Sequence, residues 1–253
     1  MGSQQKPAGM IPFFDAERQS SIWKHELKQA YRSVRELLTA LSLSPERVPE
    51  VVTESDFPLL VPRPFVARMT PGDPMDPLLR QVLPVSAEHQ KVAGFVADPL
   101  AEHGQPTPWL HKYRSRVLLT LTGGCAVNCR YCFRRHFPYH AHRMGKMDWQ
   151  QLADLLHRHP EINEIILSGG EPLLVEDAQL AEIAAWIGQQ PNIKRWRIHT
   201  RMLVVIPARI TSELCKILSN TKPCVVVLHI NHPNEIDASL CEHLQPLRKA
   251  GVW

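Results

Sequence analysis

Near residue 110 the chain changes its rhythm of apolar and polar positions. Beyond it, short apolar or alternating runs predict strands at Val117–Thr122, Glu164–Ser168, Arg195–His199 and Val225–Ile230. Helical spacing fills the gaps between them. Asp148 is placed to cap a helix running to about His157, with Gln151 three residues later as in a capping box. Glu176 or Asp177 is placed to cap a second, in which Leu180, Ile183, Ala184 and Ile187 share a face. Pro207 suits the first turn of a third, which carries Ile210, Leu214 and Ile217. Asp237 is placed to cap a fourth through Leu240, Leu244 and Leu247, kinked at Pro246 and ended by Gly251. This alternation predicts an α/β fold with parallel strands and helical crossovers. Val225–Leu228, apolar throughout, reads as a buried parallel strand. Residues 111–253 are therefore expected to form a partial (β/α) barrel of about four units, with its chemistry at the C-terminal strand ends.

Upstream the pattern is less regular. Trp23, Leu27, Tyr31, Val34, Leu37 and Leu38 keep helical spacing within Ser21–Leu43. Residues 44–110 mix short helices with proline-rich turns, so 21–110 reads as a mostly helical, proline-rich extension. Residues 1–20 are expected to be disordered. The 22 prolines concentrate in this first half and favour irregular structure there. The remaining composition, 44% apolar and 21% charged, is that of an ordinary globular enzyme.

Charge and targeting signals exclude some functions. Nothing in the chain reaches the run of about 18 apolar residues that a membrane span needs. Met1–Pro12 lacks the apolar core of a signal peptide, so a cytoplasmic setting with reduced thiols is expected. The net charge is +4, and Lys112, Arg114, Arg116, Arg130, Arg134 and Arg135 cluster. No aromatic-basic module for nucleic acid accompanies them, so a small anionic ligand explains them as well.

The candidate chemistry is concentrated in Cys125–Cys132, where three cysteines follow the spacing CxxxCxxC after the turn residues Gly123 and Gly124. Three thiolates can hold three irons of a 4Fe–4S cube and leave the fourth open to a small molecule. A zinc knuckle or redox pair is the plainer reading of a CxxC, with His136, Cys215, Cys224 or Cys241 as a fourth zinc ligand. The last three cysteines read most simply as small apolar residues of helices and a strand. Every predicted strand then ends in polar residues. The second gives Ser168-Gly169-Gly170-Glu171-Pro172, whose glycines admit close backbone approach and whose Glu171 carboxylate can accept from an ammonium. The third gives His199-Thr200-Arg201, and the fourth His229-Ile230-Asn231-His232-Pro233-Asn234-Glu235. Four such ends point to one shared pocket.

The cysteine loop resembles that of the radical S-adenosylmethionine enzymes, and the GGEP turn resembles their grip on the methionine amino group. Together with Tyr113-x-x-Arg116, Phe133-Arg134-Arg135, Arg197–Arg201, His232–Glu235 and the lead-in Pro71–Leu78, they are similar to the lysine 2,3-aminomutase family. Cys129–Tyr139 is most like the branch that makes β-lysine for elongation factor P. The resemblance implies an isomerase that moves the α-amino group of L-lysine from carbon 2 to carbon 3. It implies a 4Fe–4S cluster on Cys125, Cys129 and Cys132. Ser168, Gly169, Gly170, Glu171, Arg201, His229, Asn231 and His232 would surround S-adenosylmethionine. Tyr113 and Arg116 would serve pyridoxal phosphate, and Arg134 would pair with the substrate carboxylate. It implies no nucleic-acid or membrane partner, and is compatible with a homo-oligomer. Other radical enzymes without pyridoxal phosphate, and a non-catalytic iron–sulfur or zinc module, remain open alternatives.

Family members run on for about another hundred residues, so the chain is expected to be truncated near the start of a fifth strand at Ala250–Trp253. The missing part would carry the Schiff-base lysine and the carboxylates for the lysine side chain. Lys194 and Lys222 precede strands and match no such role. An exposed sheet edge and incomplete activity are the expected consequences.

Overall fold

The computed structural model describes residues 16–104, 107–142 and 144–253. A five-stranded sheet runs in chain order β1-β2-β3-β4-β5. Its strands are β1 (Trp109–Tyr113), β2 (Arg116–Thr122), β3 (Glu164–Gly169), β4 (Arg195–Thr200) and β5 (Cys224–Leu228). The hairpin of β1 and β2 is antiparallel, and the pairs from β2 to β5 are parallel. The four predicted strands are therefore present, and β1 is an addition that begins inside the expected extension. β5 ends at Leu228 instead of Ile230, and the residues that follow it include His229 and Asn231, which line the site. Trp253 already pairs with it: the Trp253 amide donates to Cys224 at 3.1 Å and the Val226 amide to Trp253 at 2.7 Å. The sheet is curved but not closed.

The helices are α1 (Ala16–Lys28), α2 (Val34–Ala40) and the single turn α3 (Arg63–Val66) upstream of the sheet. Within it come α4 (Lys146–Arg158), α5 (Asp177–Gln189), the single turn α6 (Met202–Val205), α7 (Ser212–Ser219) and α8 (Ala238–Lys249). The expected caps were partly misplaced. α4 starts a turn early, and the Asp148 carboxylate accepts from the Gly145 amide at 2.6 Å, from inside the helix. Glu176 is the cap residue of α5 without a side-chain bond. Pro207 opens a separate 3₁₀ turn, and Thr211 caps α7. Asp237 caps α8 as expected, accepting from Leu240 at 2.7 Å, and the helix continues through Pro246. α1 reaches back to Ala16, five residues before the predicted edge; residues 1–15 of the expected disordered segment lie outside the described residues.

Alternate strand residues explain what faces where. Ile165, Leu167, Trp196 and Ile198 are fully buried, in one apolar cluster with Leu180 and Ile187 of α5 and Leu214 and Leu218 of α7. The opposite, concave face carries Leu118, Ser168 and His199. The extension is not a separate lobe. Trp23, Leu37, Phe65, Leu78 and Leu79 belong to the same buried cluster as the sheet. Arg209, fully buried, stacks on Trp23 at 4.9 Å and donates to Leu173 and Asp177, tying α1 to α5.

Candidate active site

The cysteine loop leaves the C-terminal end of β2 and is held by the extension. The Asn128 amide donates to Leu60 at 3.0 Å and the Arg130 amide to Gln81 at 2.8 Å. The Arg130 guanidinium reaches Phe57 and Ser55, and its Nε meets Glu88 at 2.7 Å. Burial alone would raise the Glu88 carboxyl, but hydrogen bonds from Arg130 and Arg135 outweigh it and hold the group below its usual range. All three thiols are half-buried and line one cavity of about 300 Å³. Burial, then the nearby Glu171 carboxylate and the other thiols, pushes Cys125 up to about 12. Burial also raises Cys132. Such thiols ionise when a cation compensates, which a cluster's iron does. Among the described residues, no group of three or more ligand side chains stands in position around a single ion. A cube makes no such demand, since each thiolate binds its own iron. Of the suggested zinc ligands, Cys215 and Cys224 are buried in α7 and β5, and Cys241 is exposed on α8.

The GGEP turn lies against this loop, but its parts act differently from expectation. Glu171 is turned inward and buried. Its Oε1 accepts from Thr200 Oγ1 at 2.7 Å and Leu173 N at 3.1 Å, and its Oε2 from Arg201 N and Met202 N at 3.0 Å each. Four donors meet the carboxylate, so it joins the end of β3 to the end of β4, and the residue lines the cavity with the three thiols. Gly170 is required by packing. A Cβ there would stand 2.2 Å from the Gly124 carbonyl oxygen, so the space beside it is filled by the cysteine loop and not held for a ligand. Gly169 adopts φ +110°, which other residues rarely reach, and its carbonyl accepts from Tyr139 at 3.2 Å.

The ends of β4 and β5 complete the cavity. Arg201 donates to Cys129 Sγ at 3.2 Å and to Gln81 Oε1 at 2.5 Å, and lies 3.5 Å from Glu235. Glu235 is fully buried and also accepts from Gln81 at 3.0 Å and the Asn231 amide at 3.1 Å. Asn231 donates to the Tyr131 hydroxyl. Gln81 and Glu235 were not among the predicted site residues. Glu235 was visible only as the end of HPNE, and nothing local to Gln81 pointed to the site. His199 and His229 face each other with centroids 5.9 Å apart. Burial, then the neighbouring His229, Arg197 and Arg134, lowers His199 to about 4; burial, Arg201 and Arg134 lower His229. Both rings are therefore neutral near pH 7. His232 does not join them. It faces back into its own turn, where its Nδ1 accepts from Asn234 N at 3.2 Å.

Arg134 lines the cavity next to Ser168, to which its Nη1 donates at 3.3 Å. Tyr113 and Arg116 do not. They lie at the N-terminal end of the parallel strands, with the Arg116 guanidinium stacked 5.3 Å from the Tyr113 ring. There Glu164 is buried among three arginines: Arg195 at 2.7 Å, Arg197 at 2.8 Å and Arg116 at 3.6 Å. Burial would raise Glu164, but the bonds from Arg195 and Arg197 win and lower it. By alternation this cluster shares the concave face with Ser168 and His199, two and more rungs deeper. Lys222 sits at the same far end, donating to Gln190 and Ile193 at 2.6 Å each.

Residues 119–252 match the Radical SAM superfamily. The chain is 44% identical over 247 residues to an L-lysine 2,3-aminomutase of Haemophilus influenzae, spanning 96% of this chain and 73% of that one. It is 43% identical over 234 residues to an L-lysine 2,3-aminomutase of Escherichia coli, spanning 91% and 68%. The corresponding enzyme of Clostridium subterminale is 34% identical over 234 residues, 56% of its length.

Proposed function

Because the chain belongs to the lysine 2,3-aminomutase family of the Radical SAM superfamily, we propose that it is a radical isomerase acting on L-lysine, moving the α-amino group to carbon 3. The observation that carries this reading is the convergence of Cys125, Cys129 and Cys132 with Ser168, Arg134 and Arg201 on one cavity. The three thiols would hold the 4Fe–4S cluster. Gly169, Gly170, Ser168, Glu171, Arg201, His229 and Asn231, all lining that cavity, would surround S-adenosylmethionine beside it. When bound, the cluster supplies an electron, S-adenosylmethionine the hydrogen-abstracting radical, and pyridoxal phosphate the carrier of the migrating nitrogen.

The remaining roles belong to the protein's own side chains. Arg134 offers a guanidinium to the substrate carboxylate, a pairing whose fork geometry fixes orientation. Leu118, Tyr131 and Phe133 give the cavity apolar walls that exclude water from a reactive site. Neutral His199 and His229 can donate or accept there without adding charge. Three arginines around one glutamate leave a formal surplus of positive charge at the deep end of the concave face. The Nε atoms of Arg116 and Arg197 are buried there without a hydrogen-bond partner among the described residues. Pyridoxal phosphate as the third cofactor rests on membership of the lysine 2,3-aminomutase family. The likeness of Cys129–Tyr139 to the β-lysine branch supports elongation factor P as the destination of the product. No described helix is long and apolar enough to cross a membrane.

The test is anaerobic reconstitution with iron and sulfide, followed by dithionite, S-adenosylmethionine, pyridoxal phosphate and L-lysine deuterated at carbon 3. Deuterium should appear in 5′-deoxyadenosine. Because the Schiff-base lysine is expected beyond Trp253, the decisive assay uses a chain extended through it: cleavage of S-adenosylmethionine there with no deuterium transfer from lysine would reject lysine as the substrate.

A further inference from the structure

We propose that Glu102 is a positioning residue for Arg134, a role resting on the reading of Arg134 as the partner of the substrate carboxylate. Glu102 reaches the site from the loop before β1 and is buried. Its Oε2 accepts from Arg134 Nε at 2.7 Å and its Oε1 from Nη2 at 3.1 Å. This is a side-on, two-point grip on the fork. It occupies one side of the guanidinium and leaves the outer edge, formed by Nη1 and the second proton of Nη2, to face Ser168 and the cavity. Arg134 lines that cavity and Glu102 does not. Glu102 therefore stands behind the arginine, not in the place of a substrate.

The segment that presents Glu102 is built to hold it. The Asp98 carboxylate accepts from the amides of Glu102 at 2.9 Å and His103 at 2.8 Å. Ala101 and Gly104 adopt left-handed backbone conformations, φ +50° and +74°, on either side of the glutamate. A non-glycine residue in that region persists only where its surroundings impose it. Lys112 Nζ lies 3.6 Å from Glu102 Oε1 and balances its charge. The rest of the Arg134 surroundings orient it weakly. The Phe133 and Phe137 rings lie 5.0 and 5.8 Å away, and one hydroxyl contact at 3.3 Å remains. Without Glu102 a long, flexible guanidinium would have several rotamers to choose from, and a bound carboxylate would have to select one.

The experiment measures binding, not turnover. The cluster-loaded chain with S-adenosylmethionine is titrated calorimetrically with L-lysine and with 1,5-diaminopentane, which lacks the carboxylate. Glu102→Gln should weaken L-lysine about tenfold, the scale of a charge-assisted pair, and leave diaminopentane unchanged. Glu102→Asp, which keeps the charge on a shorter stem, should recover most of the affinity and covers the case in which Glu102→Gln folds poorly. Arg134→Gln should lose L-lysine selectively. Tighter L-lysine binding by Glu102→Gln would overturn the proposal, because Glu102 would then be a competitor for the subsite. Equal losses for both ligands would reduce Glu102 to a structural residue. If Arg134→Gln binds L-lysine normally, the reading of Arg134 itself fails; if only the Glu102 variants do, that reading survives and the role of Glu102 does not.

Discussion

Gly170→Ala isolates the contact between the GGEP turn and the cysteine loop. The added Cβ would lie 2.2 Å from Gly124 O and 2.9 Å from the carbonyl carbons of Gly123 and Gly124. Carbon prefers neighbours at about 3.5 Å, so one backbone must retreat by about 1 Å. That retreat pulls on two bonds, Glu171 N to Gly124 O and Gly170 N to Thr122 O, both 2.8 Å. Overpacking of this kind costs about 1–3 kcal/mol and each lost bond about 1 kcal/mol. The sum, about 3–5 kcal/mol, is a large share of a typical stability of about 5–15 kcal/mol. With a urea dependence of about 2 kcal/mol per molar, the unfolding midpoint should fall by about 1.5–2.5 M. Tryptophan fluorescence of the cluster-free chain reads this out with no ligand present. Anaerobic reconstitution should then take up less iron, because the displaced loop carries the thiols. An unchanged midpoint with full iron uptake would show that the turn and the loop are not packed as described, and would return Gly170 to a role in ligand approach.

Other expectations follow from the same geometry. Replacing Cys125, Cys129 or Cys132 by Ala should abolish the uptake of about four irons per chain, measured by iron and sulfide analysis; zinc retained in place of iron would contradict the cluster. Glu164→Gln should destabilise the chain by about 1–3 kcal/mol in denaturant, since the buried carboxylate loses its charged hydrogen bonds from Arg195 and Arg197 while the arginines keep partial access to solvent; a neutral result would mean that solvent compensates them fully. Glu235→Ala should weaken S-adenosylmethionine binding, because Arg201 and Gln81 lose a fully buried acceptor, and equilibrium dialysis would expose an unaltered affinity. The folded state holds His199 at about 4, below the ordinary value of about 6.5. The native state thus binds fewer protons, so this contribution is complete above about pH 6.5 and is lost as pH falls toward 4. His199→Asn should flatten the decline of the unfolding midpoint between those limits, and an identical slope would refute the assignment.

Much of the site was legible because its signals are local. CxxxCxxC on a loop after an apolar strand needs no partner to be read, and its three thiols do share one cavity. The alternation of apolar runs with helical spacing placed β2 to β5 within two residues, since burial on a parallel sheet demands that pattern whatever the rest of the chain does. Ser168, Arg201, His229 and Asn231 followed from one rule, that such strands point their C-terminal ends at a common mouth, whereas Arg134 was marked by the family resemblance alone.

Contacts between distant segments decided the rest. Glu171 reads as a turn carboxylate facing a ligand, and only the fold brings Thr200, Arg201 and Met202, about 30 residues away in sequence, onto it. Glu102 and Gln81 carry no motif; they matter because the loop before β1 and the extension are brought against Arg134 and Arg201. Arg116 lies beside the cysteine loop in sequence yet at the other end of the strand, since each residue of an extended strand adds about 3.3 Å. Sequence spacing alone determined β2 to β5, the longer helices between them and which end of the sheet carries the chemistry, because periodicity and turn residues act over a few positions. Which polar groups remain free for a ligand was decided by tertiary structure, because a carboxylate or guanidinium has a fixed number of hydrogen-bonding sites and distant segments fill them.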